Sequence, residues 1–304
     1  MSDVGISDVE RARRAGVAQQ PARLVDNEVV GAYHRLVFEV AEIAELARPG
    51  QFVALTVGAG LSGALLRRSF SISSAVPAIG PGPGRIELIV APHGKGSTWL
   101  TQRLPGEVVD MVGPLGRPFP LPKQPVPCVL VGGGYGSAPL FWLADALRER
   151  GCAASFVMGA ATRARLYGVS RAQAAARSVT VTTDDGSLGV RGWVSDVLPD
   201  VIATEGAGVV YACGPMGMLR SVSEVAQVAG IVAQVAVEES MACGVGVCMT
   251  CVMPVAGPDG QTRMVRSCVE GPTFRGDRVR WEAFDDGYCR VPDDALGAPR
   301  PGGH

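Results

Sequence analysis

Short apolar runs interrupted by polar and turn residues fill the chain up to about Leu121. β-Branched and aromatic residues are frequent in these runs, and Gly, Pro and Asn separate them, as in NEVVGAYHRLVFEV, PGQFVALTV, SFSISSAV, RIELIVAP and GEVVDMVGP. Many short strands separated by turns are typical of an antiparallel barrel or sandwich. The pattern predicts a β-barrel domain over residues 25–122, preceded by an N-terminal extension over residues 1–24.

The pattern changes after the linker LPKQPVPC. The segment PCVLVGGGYGSAPLFWLADALRERG predicts a buried strand, a glycine turn and a helix with Leu140, Leu143, Ala144 and Leu147 on one face, ended by Gly151. AASFVMG, SVTVTTDDG and GVVYACGP predict three more buried strands, with helical patterns between several of them. This alternation indicates a doubly wound α/β domain with a parallel sheet over residues 123–232.

A cysteine-containing module follows over residues 233–284, and the Pro-, Gly- and Asp-rich residues 285–304 are predicted to be a disordered tail. The formal net charge of −1 gives no reason to expect nucleic-acid binding. No apolar run reaches the ~18–20 residues of a membrane span. The charged N-terminus lacks the apolar stretch of a signal peptide, so we expect a cytoplasmic protein whose Cys128, Cys152, Cys213 and Cys289 are free thiols.

The spacing of four other cysteines carries the most chemical information. Cys243, Cys248, Cys251 and Cys268 form the pattern C-x4-C-x2-C-x16-C, whose first three positions match the plant-type spacing of [2Fe–2S] ligands. Gly244 lets the backbone wrap closely around an inorganic core. A zinc site usually adds a second C-x2-C or a His pair, and disulfides fit poorly without a secretory signal. The pattern therefore favours an iron–sulfur cluster.

Two glycine-containing turns lie at the ends of predicted parallel strands. Gly132, Gly133, Gly134 and Gly136 stand between a strand and a helix, where a dinucleotide's pyrophosphate can approach backbone amides. Tight strand–helix packing is an alternative reason for such a turn. Cys213, Gly214 and Pro215 follow the strand VVYA at the same edge of the sheet, and a simple Gly-Pro turn is the alternative there.

Two further motifs lie in the predicted barrel. Arg68, Ser69, Phe70 and Ser71 combine a cation suited to a phosphate with a hydroxyl suited to a heteroaromatic ring, although an ordinary amphipathic strand gives the same pattern. The segment GKGST, which includes Gly96 and Ser97, offers backbone amides to a phosphate. The alternative is a helix start with Ser97 or Thr98 as its N-cap.

The order of these motifs resembles the ferredoxin–NADP reductase superfamily. From about Val25 to Phe284 the chain resembles the electron-transfer subunit of class 1B dihydroorotate dehydrogenase, in the phrases LLRRSFSIS, HGKGST, GGGYGSAPL, TDDGSLGVRGWVSDVL, CGPMGML, EESMACGVGVCMTCV and CVEGPTF. The resemblance implies FAD on Arg68 through Ser71, on the backbone of Ile89, Val90 and Ala91, and on Gly96 and Ser97, with iron on the four cysteines. Two departures are Ala91, where relatives often have Arg, and Phe70, where they have Ile or Tyr.

The resemblance also implies a function. NAD(H) exchanges a hydride with FAD, and the cluster exchanges electrons with an FMN-containing dihydroorotate dehydrogenase catalytic subunit, in a heterotetramer that serves pyrimidine biosynthesis. No acid stands in MGAATRARLYG, and its Arg163 and Arg165 could accept a 2′-phosphate, so NADP stays open beside the NAD that the family uses. The alternatives are a reductase subunit of another flavin and iron–sulfur complex, such as a bifurcating transhydrogenase, a sulfide dehydrogenase or a hydrogenase, and a non-enzymatic ferredoxin-like carrier or redox sensor.

Overall fold

An antiparallel sheet of seven strands forms the first part of the chain, in the order β4-β3-β7-β1-β2-β6-β5. The computed structural model describes residues 16–58, 64–80, 82–285 and 288–297. The strands are β1 (Ala18–Val30), β2 (Tyr33–Glu39), β3 (Phe52–Leu55), β4 (Arg68–Ser71), β5 (Ser74–Val76), β6 (Arg85–Val90) and β7 (Val108–Leu115), with helices α1 (Ala41–Leu46) and α2 (Lys95–Thr101). Leu24, Leu36, Phe38 and Leu88 are buried in one core between these elements, because alternate residues of a strand face the same side.

The first strand begins earlier than the predicted domain boundary at residue 25. Strand β1 starts at Ala18 and pairs with β7 from Ala18 opposite Gly113 to Arg23 opposite Val108. Ala18 and Ala22 are its buried residues in this stretch, and such small side chains give little hydrophobic contrast in the sequence. Residues 18–24 therefore belong to the barrel rather than to the predicted extension, of which residues 1–15 lie outside the described part.

A mostly parallel sheet with helices on both faces forms the second domain, in the strand order β11-β10-β9-β8-β12-β13-β16, in which β16 (Thr273–Arg275) is an antiparallel edge strand. Its parallel strands are β8 (Cys128–Gly133), β9 (Ala154–Ala160), β10 (Val179–Thr183), β11 (Val190–Arg191), β12 (Val209–Cys213) and β13 (Val232–Ala236). Its helices are α3 (Ala138–Glu149), α4 (Val169–Ala175), α5 (Val194–Glu205) and α6 (Met216–Val228). The strand order reverses between β8 and β12, where open α/β sheets bind ligands beyond the carboxyl ends of their strands.

Alternation in the central strand explains the two layers of helices. Val129 and Val131 of β8 pack in one buried cluster with residues of α5 and α6. Cys128 and Leu130 pack in the opposite cluster with residues of α3 and α4. The predicted helix over Leu140 to Leu147 is α3, and Gly151 follows its end with a φ of 75°.

The cluster module begins later than predicted. Residues 233–236 of strand β13 fall in the predicted module 233–284, but β13 pairs with β12, from Val209 opposite Val232 to Cys213 opposite Ala236. The run VAQVA is short, and only two of its residues are buried, so its sequence pattern is too weak to predict a strand. Beyond it, the module contains the hairpin β14 (Val252–Ala256) and β15 (Thr262–Arg266), helix α7 (Ser267–Glu270) and β16 (Thr273–Arg275), which pairs antiparallel with β13.

The described part of the tail is ordered, contrary to the prediction of disorder. β17 (Phe284–Asp285) and β18 (Tyr288–Cys289) form a hairpin, and the Leu296 amide donates to the Thr262 carbonyl at 2.9 Å. Asp294 accepts from the Thr262 hydroxyl at 2.9 Å, and Ala295 is buried. These contacts with residues distant in the sequence hold the tail in place, although its composition is poor in large apolar side chains. Residues 286–287 and 298–304 lie outside the described part. In the described ranges no helix is long and apolar enough to cross a membrane.

Candidate cofactor-binding site

A cavity of about 780 Å³ lies between the antiparallel sheet and the carboxyl edge of the parallel sheet. Its size falls in the usual range of small-molecule sites. On the barrel side it is lined by the predicted residues Ser69, Phe70, Ser71, Ile89, Val90, Ala91 and Ser97. On the α/β side it is lined by the predicted residues Gly133, Gly134, Gly136, Cys213, Gly214 and Pro215. The structure thus brings both sets of predicted residues to one cavity, whereas Arg68, Gly96 and Gly132 are not among its lining residues.

Arg68 and Gly96 lie against each other beside the barrel side of the cavity. A Cβ atom on Gly96 would lie 2.9 Å from Cγ and 3.0 Å from Nε of Arg68. The guanidinium donates to the carbonyl of Leu66 at 2.7 Å and makes no ion pair with a described residue. Its neighbour Arg67, by contrast, is paired with Asp110. The close approach at Gly96 joins the two motifs that the resemblance assigns to FAD, and the unpaired charge suits a phosphate.

The turn at Ser97 starts a helix, with a different N-cap residue from those considered in the sequence analysis. Helix α2 begins at Lys95, and Gly94 occupies the N-cap position, so Ser97 lies inside the first turn. The Ser97 hydroxyl accepts hydrogen bonds from the amides of His93 and Gly94, both at 3.0 Å. The serine therefore folds the GKGST turn back on itself. The alternative interpretation of this segment as a helix start is correct, but the N-cap is Gly94 and not Ser97 or Thr98.

The glycine turn after β8 and the Cys-Gly-Pro turn after β12 are packed together. A Cβ on Gly136 would lie 2.5 Å from the Cys213 carbonyl oxygen, and one on Gly133 would lie 2.8 Å from Cδ of Pro215. A Cβ on Gly132 would lie 2.6 Å from Cβ of Ser137. Packing therefore accounts for Gly132 and Gly136, as the alternative interpretation of this turn held.

Gly134 is the glycine of this turn that opens towards the cavity. Its φ is 56°, a conformation that other residues rarely adopt, and a Cβ atom there would have the Tyr33 hydroxyl as its nearest neighbour, at 3.5 Å. Tyr33 is a cavity residue that the sequence did not reveal, since in its strand it looks like an ordinary aromatic position. Its hydroxyl donates to the Arg165 carbonyl at 2.7 Å, and its ring lies 5.4 Å from that of Tyr135. Burial raises the pKa of Tyr33, so the hydroxyl stays protonated and able to donate.

Three carboxylates also line the cavity and were not predicted: Asp184, Glu238 and Glu239. The segment directly after β9 contains no acid, but Asp184 follows the neighbouring strand β10, and its amide donates to the Ala160 carbonyl at 3.1 Å. Arg165 lines the cavity as well, whereas Arg163 does not. Neighbouring strands bring their carboxyl ends together, so an acid can reach this edge from either strand.

The second acidic region lies beside Cys213. Glu238 accepts a hydrogen bond from the Tyr135 hydroxyl at 3.1 Å. Burial, and secondarily the charge of Glu238, raise the pKa of the Cys213 thiol to about 12. Burial also raises the pKa of Glu239. This part of the cavity therefore holds a neutral thiol rather than a reactive thiolate.

The four predicted iron ligands lie in two pairs. The Cys248 amide donates to the Cys243 sulfur at 3.5 Å, and Cys251 and Cys268 share one buried cluster. Across the described ranges, no group of three His, Cys, Asp or Glu side chains lies close enough together to coordinate a metal ion as it stands. The segments that carry the two pairs are nevertheless held next to each other, since the Arg266 guanidinium donates to the Gly246 carbonyl at 2.9 Å and a Cβ on Gly246 would lie 2.5 Å from Cγ2 of Val269.

The loop around Cys243 fits an iron–sulfur cluster. Its sulfur accepts from the amides of Val245 and Val247 at 3.4 Å and of Cys248 at 3.5 Å, the kind of N–H···S contact that tunes such clusters. Gly244 and Gly246 have φ values of 72° and 82°, which lets the loop curl around a central group. The all-thiol donor set suits iron or zinc, and the plant-type spacing favours iron.

The protonation of these thiols also depends on their surroundings. The Thr250 hydroxyl, 3.1 Å from the Cys248 sulfur, lowers the pKa of that thiol to about 6. Burial, with the neighbouring Cys251, raises the pKa of Cys268 to about 12. A coordinating metal ion deprotonates its thiols outright, so the buried pair is compatible with ligation.

The cysteine loop packs directly against the strands that the resemblance assigns to the flavin. A Cβ on Gly244 would lie 3.3 Å from the Ser69 hydroxyl and 3.4 Å from Cε2 of Phe52. Cys251 and Cys268 share a buried cluster with Phe52. Phe52 and Ser69 both line the cavity, so the cysteine loop and the cavity are separated by a single layer of side chains.

Comparisons with known proteins agree with this architecture. The family model described as the iron–sulfur cluster binding domain of dihydroorotate dehydrogenase B matches residues 238–280. The dihydroorotate dehydrogenase B (NAD(+)) electron transfer subunit of Desulforamulus reducens is 33% identical over 86% of this chain and 100% of its own length. The subunit of the same name from Geobacillus thermodenitrificans is 40% identical over 78% of this chain and 88% of its own length.

Solved structures show the same fold. One similar structure is that of an NADH-dependent reduced ferredoxin–NADP oxidoreductase, described in connection with flavin-based electron bifurcation. Its TM-score is 0.73, its sequence identity is 28%, and the match covers 86% of this chain and 90% of that chain. A ferredoxin NADP⁺ reductase from Neisseria gonorrhoeae, with a TM-score of 0.56 and 14% identity over 70% of this chain and 92% of that chain, shows the fold alone. The predicted fold class is therefore confirmed: a barrel domain, a doubly wound α/β domain and a C-terminal iron–sulfur module.

Proposed function

The chain belongs to the family of electron transfer subunits of dihydroorotate dehydrogenase B, and on this premise we propose that it passes electrons between NAD(H) and a partner dihydroorotate dehydrogenase catalytic subunit that contains FMN. It is an oxidoreductase subunit, and the predicted cofactors, FAD, a [2Fe–2S] cluster and NAD, are confirmed by the family assignment and the reductase fold. When bound, the nicotinamide and flavin exchange electrons in pairs and the cluster passes them singly. A heterotetramer and a cytoplasmic location are parts of the proposal.

One observation carries this function: the cysteine loop, the flavin strand and the two nucleotide turns meet around one cavity. Ser69 contacts the loop at Gly244 and also lines the cavity, opposite the turn at Gly134. The chain's own contribution is to hold the three groups in a fixed order. The glycine and Cys-Gly-Pro turns would hold the nucleotide, β4 and α2 the flavin, and the cysteine loop the cluster.

The surface around the cysteine loop is suited to a partner. Val245, Val247 and Met249 are 47%, 79% and 52% exposed, and Cys248 is exposed between them. Apolar residues grouped on one loop commonly mark an interaction site. We propose that the catalytic subunit covers this loop, because electrons that leave through the cluster must cross this face.

Asp184 supports NAD rather than NADP as the nucleotide. A carboxylate in the cavity can accept a hydrogen bond from a ribose 2′-hydroxyl, and it repels a 2′-phosphate. Arg165 lines the same cavity, and its positive charge favours a 2′-phosphate and hence NADP. The names of the relatives, which specify NAD(+), agree with the choice of NAD.

A second candidate is a subunit of an electron-bifurcating NADH-dependent ferredoxin–NADP oxidoreductase. The observation in its favour is the solved structure of that enzyme, which matches 86% of this chain. The two candidates differ in the partner and not in the cavity. Reconstitution with each partner distinguishes them, because turnover of dihydroorotate requires the catalytic subunit of the first complex.

The test replaces a cluster ligand without touching the cavity. In Cys251→Ser, NADH reduction of a dye that accepts electrons from the flavin should persist, and NAD-dependent oxidation of dihydroorotate by the assembled complex should fall to background. Cys289→Ser is the matched control, because Cys289 is a free cysteine outside the predicted ligand set. Both reactions are assayed on one preparation, with complex formation checked by gel filtration.

The same experiment can contradict the proposal. A Cys251→Ser complex that is intact, lacks iron and still oxidises dihydroorotate with NAD at the wild-type rate would show that electrons bypass the cluster. Loss of dye reduction together with loss of flavin would instead mean that the module supports the barrel, and the assay would then be repeated with Cys248→Ser, whose side chain is exposed.

A further inference from the structure

The two buried cysteines of the predicted ligand set lie at one end of a hairpin. Cys251 directly precedes β14, Cys268 follows β15 after one residue, and the Ser267 amide donates to the Cys251 carbonyl at 2.9 Å. Both cysteines pack in one cluster with Phe52, which lines the cavity. A hairpin of two strands alone is at best marginally stable in water. The placement of these two cysteines therefore depends on what holds the hairpin.

Strand β14 is held from the side of the α/β domain. Met253 is fully buried in the core that contains residues of α5 and α6. The Arg280 amide donates to the Pro254 carbonyl at 3.1 Å, and Val255 forms an antiparallel bridge with Val279. Strand β15 has only β14 as a neighbouring strand in the described structure. Such an edge presents unpaired backbone groups, so β15 needs another partner to be held equally well.

Residues 290–297, which we call the C-terminal strap, supply this partner. The Leu296 amide donates to the Thr262 carbonyl at 2.9 Å, and the buried Ala295 forms a parallel bridge with Thr262. The start of the strap is anchored as well, because the Arg290 amide donates to the Ala283 carbonyl at 2.8 Å. Thr262 is the first residue of β15, so the strap holds the end of the hairpin that lies opposite the cysteines.

A set of polar contacts centres on the Thr262 hydroxyl. It donates to the Asp294 carboxylate at 2.9 Å and accepts from Nε of Arg280 at 2.9 Å. Thr262 is fully buried, and losing a partner of a buried polar group costs more than an exposed hydrogen bond contributes. Arg280 also holds β14 through its amide, so one residue connects both strands of the hairpin to the strap.

We propose that the C-terminal strap positions the predicted cluster ligands Cys251 and Cys268, with Asp294 and Thr262 as positioning residues. The hairpin ladder has only five residue pairs, and so short an element opens as one cooperative unit. Release of its Thr262 end therefore also loosens the cysteine end. Ligands held at a fixed separation retain iron and set the surroundings on which the potential of a cluster depends. The inference rests on the proposed function, because it concerns the cluster that this function requires.

The test follows iron retention in the full chain loaded with FAD and cluster. Asp294→Ala should lose iron to a chelator about 2- to 12-fold faster, the factor expected when one hydrogen bond is removed from a segment that opens locally. Asp293→Ala is the matched control, because Asp293 is exposed on the same strap and makes no ion pair or side-chain hydrogen bond with a described residue. Its rate should stay within about 2-fold of the wild type.

Thr262 provides a readout that a merely structural role would not change. Thr262→Val keeps the shape of the side chain without its hydroxyl, and Thr262→Ser keeps the hydroxyl. The reduction potential and the EPR spectrum of the reduced cluster should change in Thr262→Val and return to those of the wild type in Thr262→Ser. Hydrogen exchange of the Ser267 amide should accelerate in Thr262→Val, with FAD content unchanged. Asp294→Ala, at an exposed position, keeps the inference testable if Thr262→Val fails to fold.

The outcomes separate the inference from the proposed function. A wild-type protein without iron would contradict the proposed function itself. A wild-type cluster whose iron release, potential and spectrum are unchanged in Asp294→Ala and Thr262→Val would overturn the inference alone. Equal acceleration in Asp293→Ala and Asp294→Ala would also overturn it, because only Asp294 contacts the hairpin. Faster iron release with an unchanged potential and spectrum would show that the strap stabilises the module without positioning the ligands, and would overturn it too.

Discussion

Replacing Gly136 by alanine should separate the two turns that line the α/β side of the cavity. The added Cβ would lie 2.5 Å from the carbonyl oxygen and 2.8 Å from the carbonyl carbon of Cys213. These are backbone atoms at the end of a central strand, so they cannot move aside as a flexible side chain can. The turn that contains Cys213, Gly214 and Pro215 must shift instead.

The size of the effect follows from this contact. Forcing one extra methyl group into a packed site costs about 1–3 kcal/mol, and a backbone contact this short belongs at the upper end of that range. The shift also displaces the turn from the cavity, so the KM for NADH should rise while the FAD content stays the same. Gly217→Ala is the stability control, because no atom lies within 4 Å of its Cβ position in helix α6. An alanine there should stabilise the helix by about 0.5–1 kcal/mol.

The assay compares thermal unfolding of the two FAD-loaded variants and their KM for NADH. Gly136→Ala should lower the midpoint by several degrees, and Gly217→Ala should leave it equal or slightly higher. If Gly136→Ala unfolded at the wild-type temperature with an unchanged KM for NADH, the close packing of the two turns would not be needed for nucleotide binding, and the reasoning would be refuted.

Three further predictions concern single side chains. Arg68→Ala should weaken the binding of FAD about 10- to 100-fold, because it removes a charge-assisted contact. Arg67→Ala is the control and should retain FAD, because the Arg67 guanidinium pairs with Asp110. Equal FAD affinities of the two variants in a flavin titration would contradict the assignment. Tyr33→Phe should raise the KM for NADH about 2- to 10-fold with unchanged FAD content, because it removes the 2.7 Å bond to the Arg165 carbonyl; an unchanged KM would show that the bond positions nothing. Burial raises the pKa of Cys213 to about 12, so this thiol should remain protonated between pH 7 and pH 9 and resist iodoacetamide there. Rapid alkylation of Cys213 in the folded protein, detected by mass spectrometry, would contradict the pKa shift.

The fold could be predicted where local pattern and tertiary environment agree. Helix α3 follows directly from the spacing of Leu140, Leu143 and Leu147, because those residues pack against the sheet. The barrel was predicted to begin too late, since the buried residues Ala18 and Ala22 of β1 are too small to mark a strand in the sequence. The order of the tail was also missed, because it depends on contacts such as that of Leu296 with Thr262, which are distant in the sequence.

The candidate site could be predicted only where a motif is local. The glycine turn, the Cys-Gly-Pro turn and the four cysteines are short patterns with a chemical meaning of their own. Tyr33, Asp184 and Trp193 carry no such pattern, and they reach the cavity only because the sheet edge and the barrel bring them there. The predicted roles of Gly132 and Gly136 also changed, because packing between two turns cannot be distinguished from phosphate binding in the sequence alone.

The central claim is that one chain connects a nicotinamide site to an iron–sulfur cluster through a flavin, and anaerobic titration with NADH tests it most directly. Flavin absorbance and the low-temperature EPR signal of the reduced cluster are followed on the same sample, and dithionite defines full reduction. We expect excess NADH to bleach the flavin and to produce the cluster signal, with no signal in Cys251→Ser. A wild-type protein whose flavin is bleached by excess NADH while a cluster that dithionite can reduce stays oxidised would contradict the account.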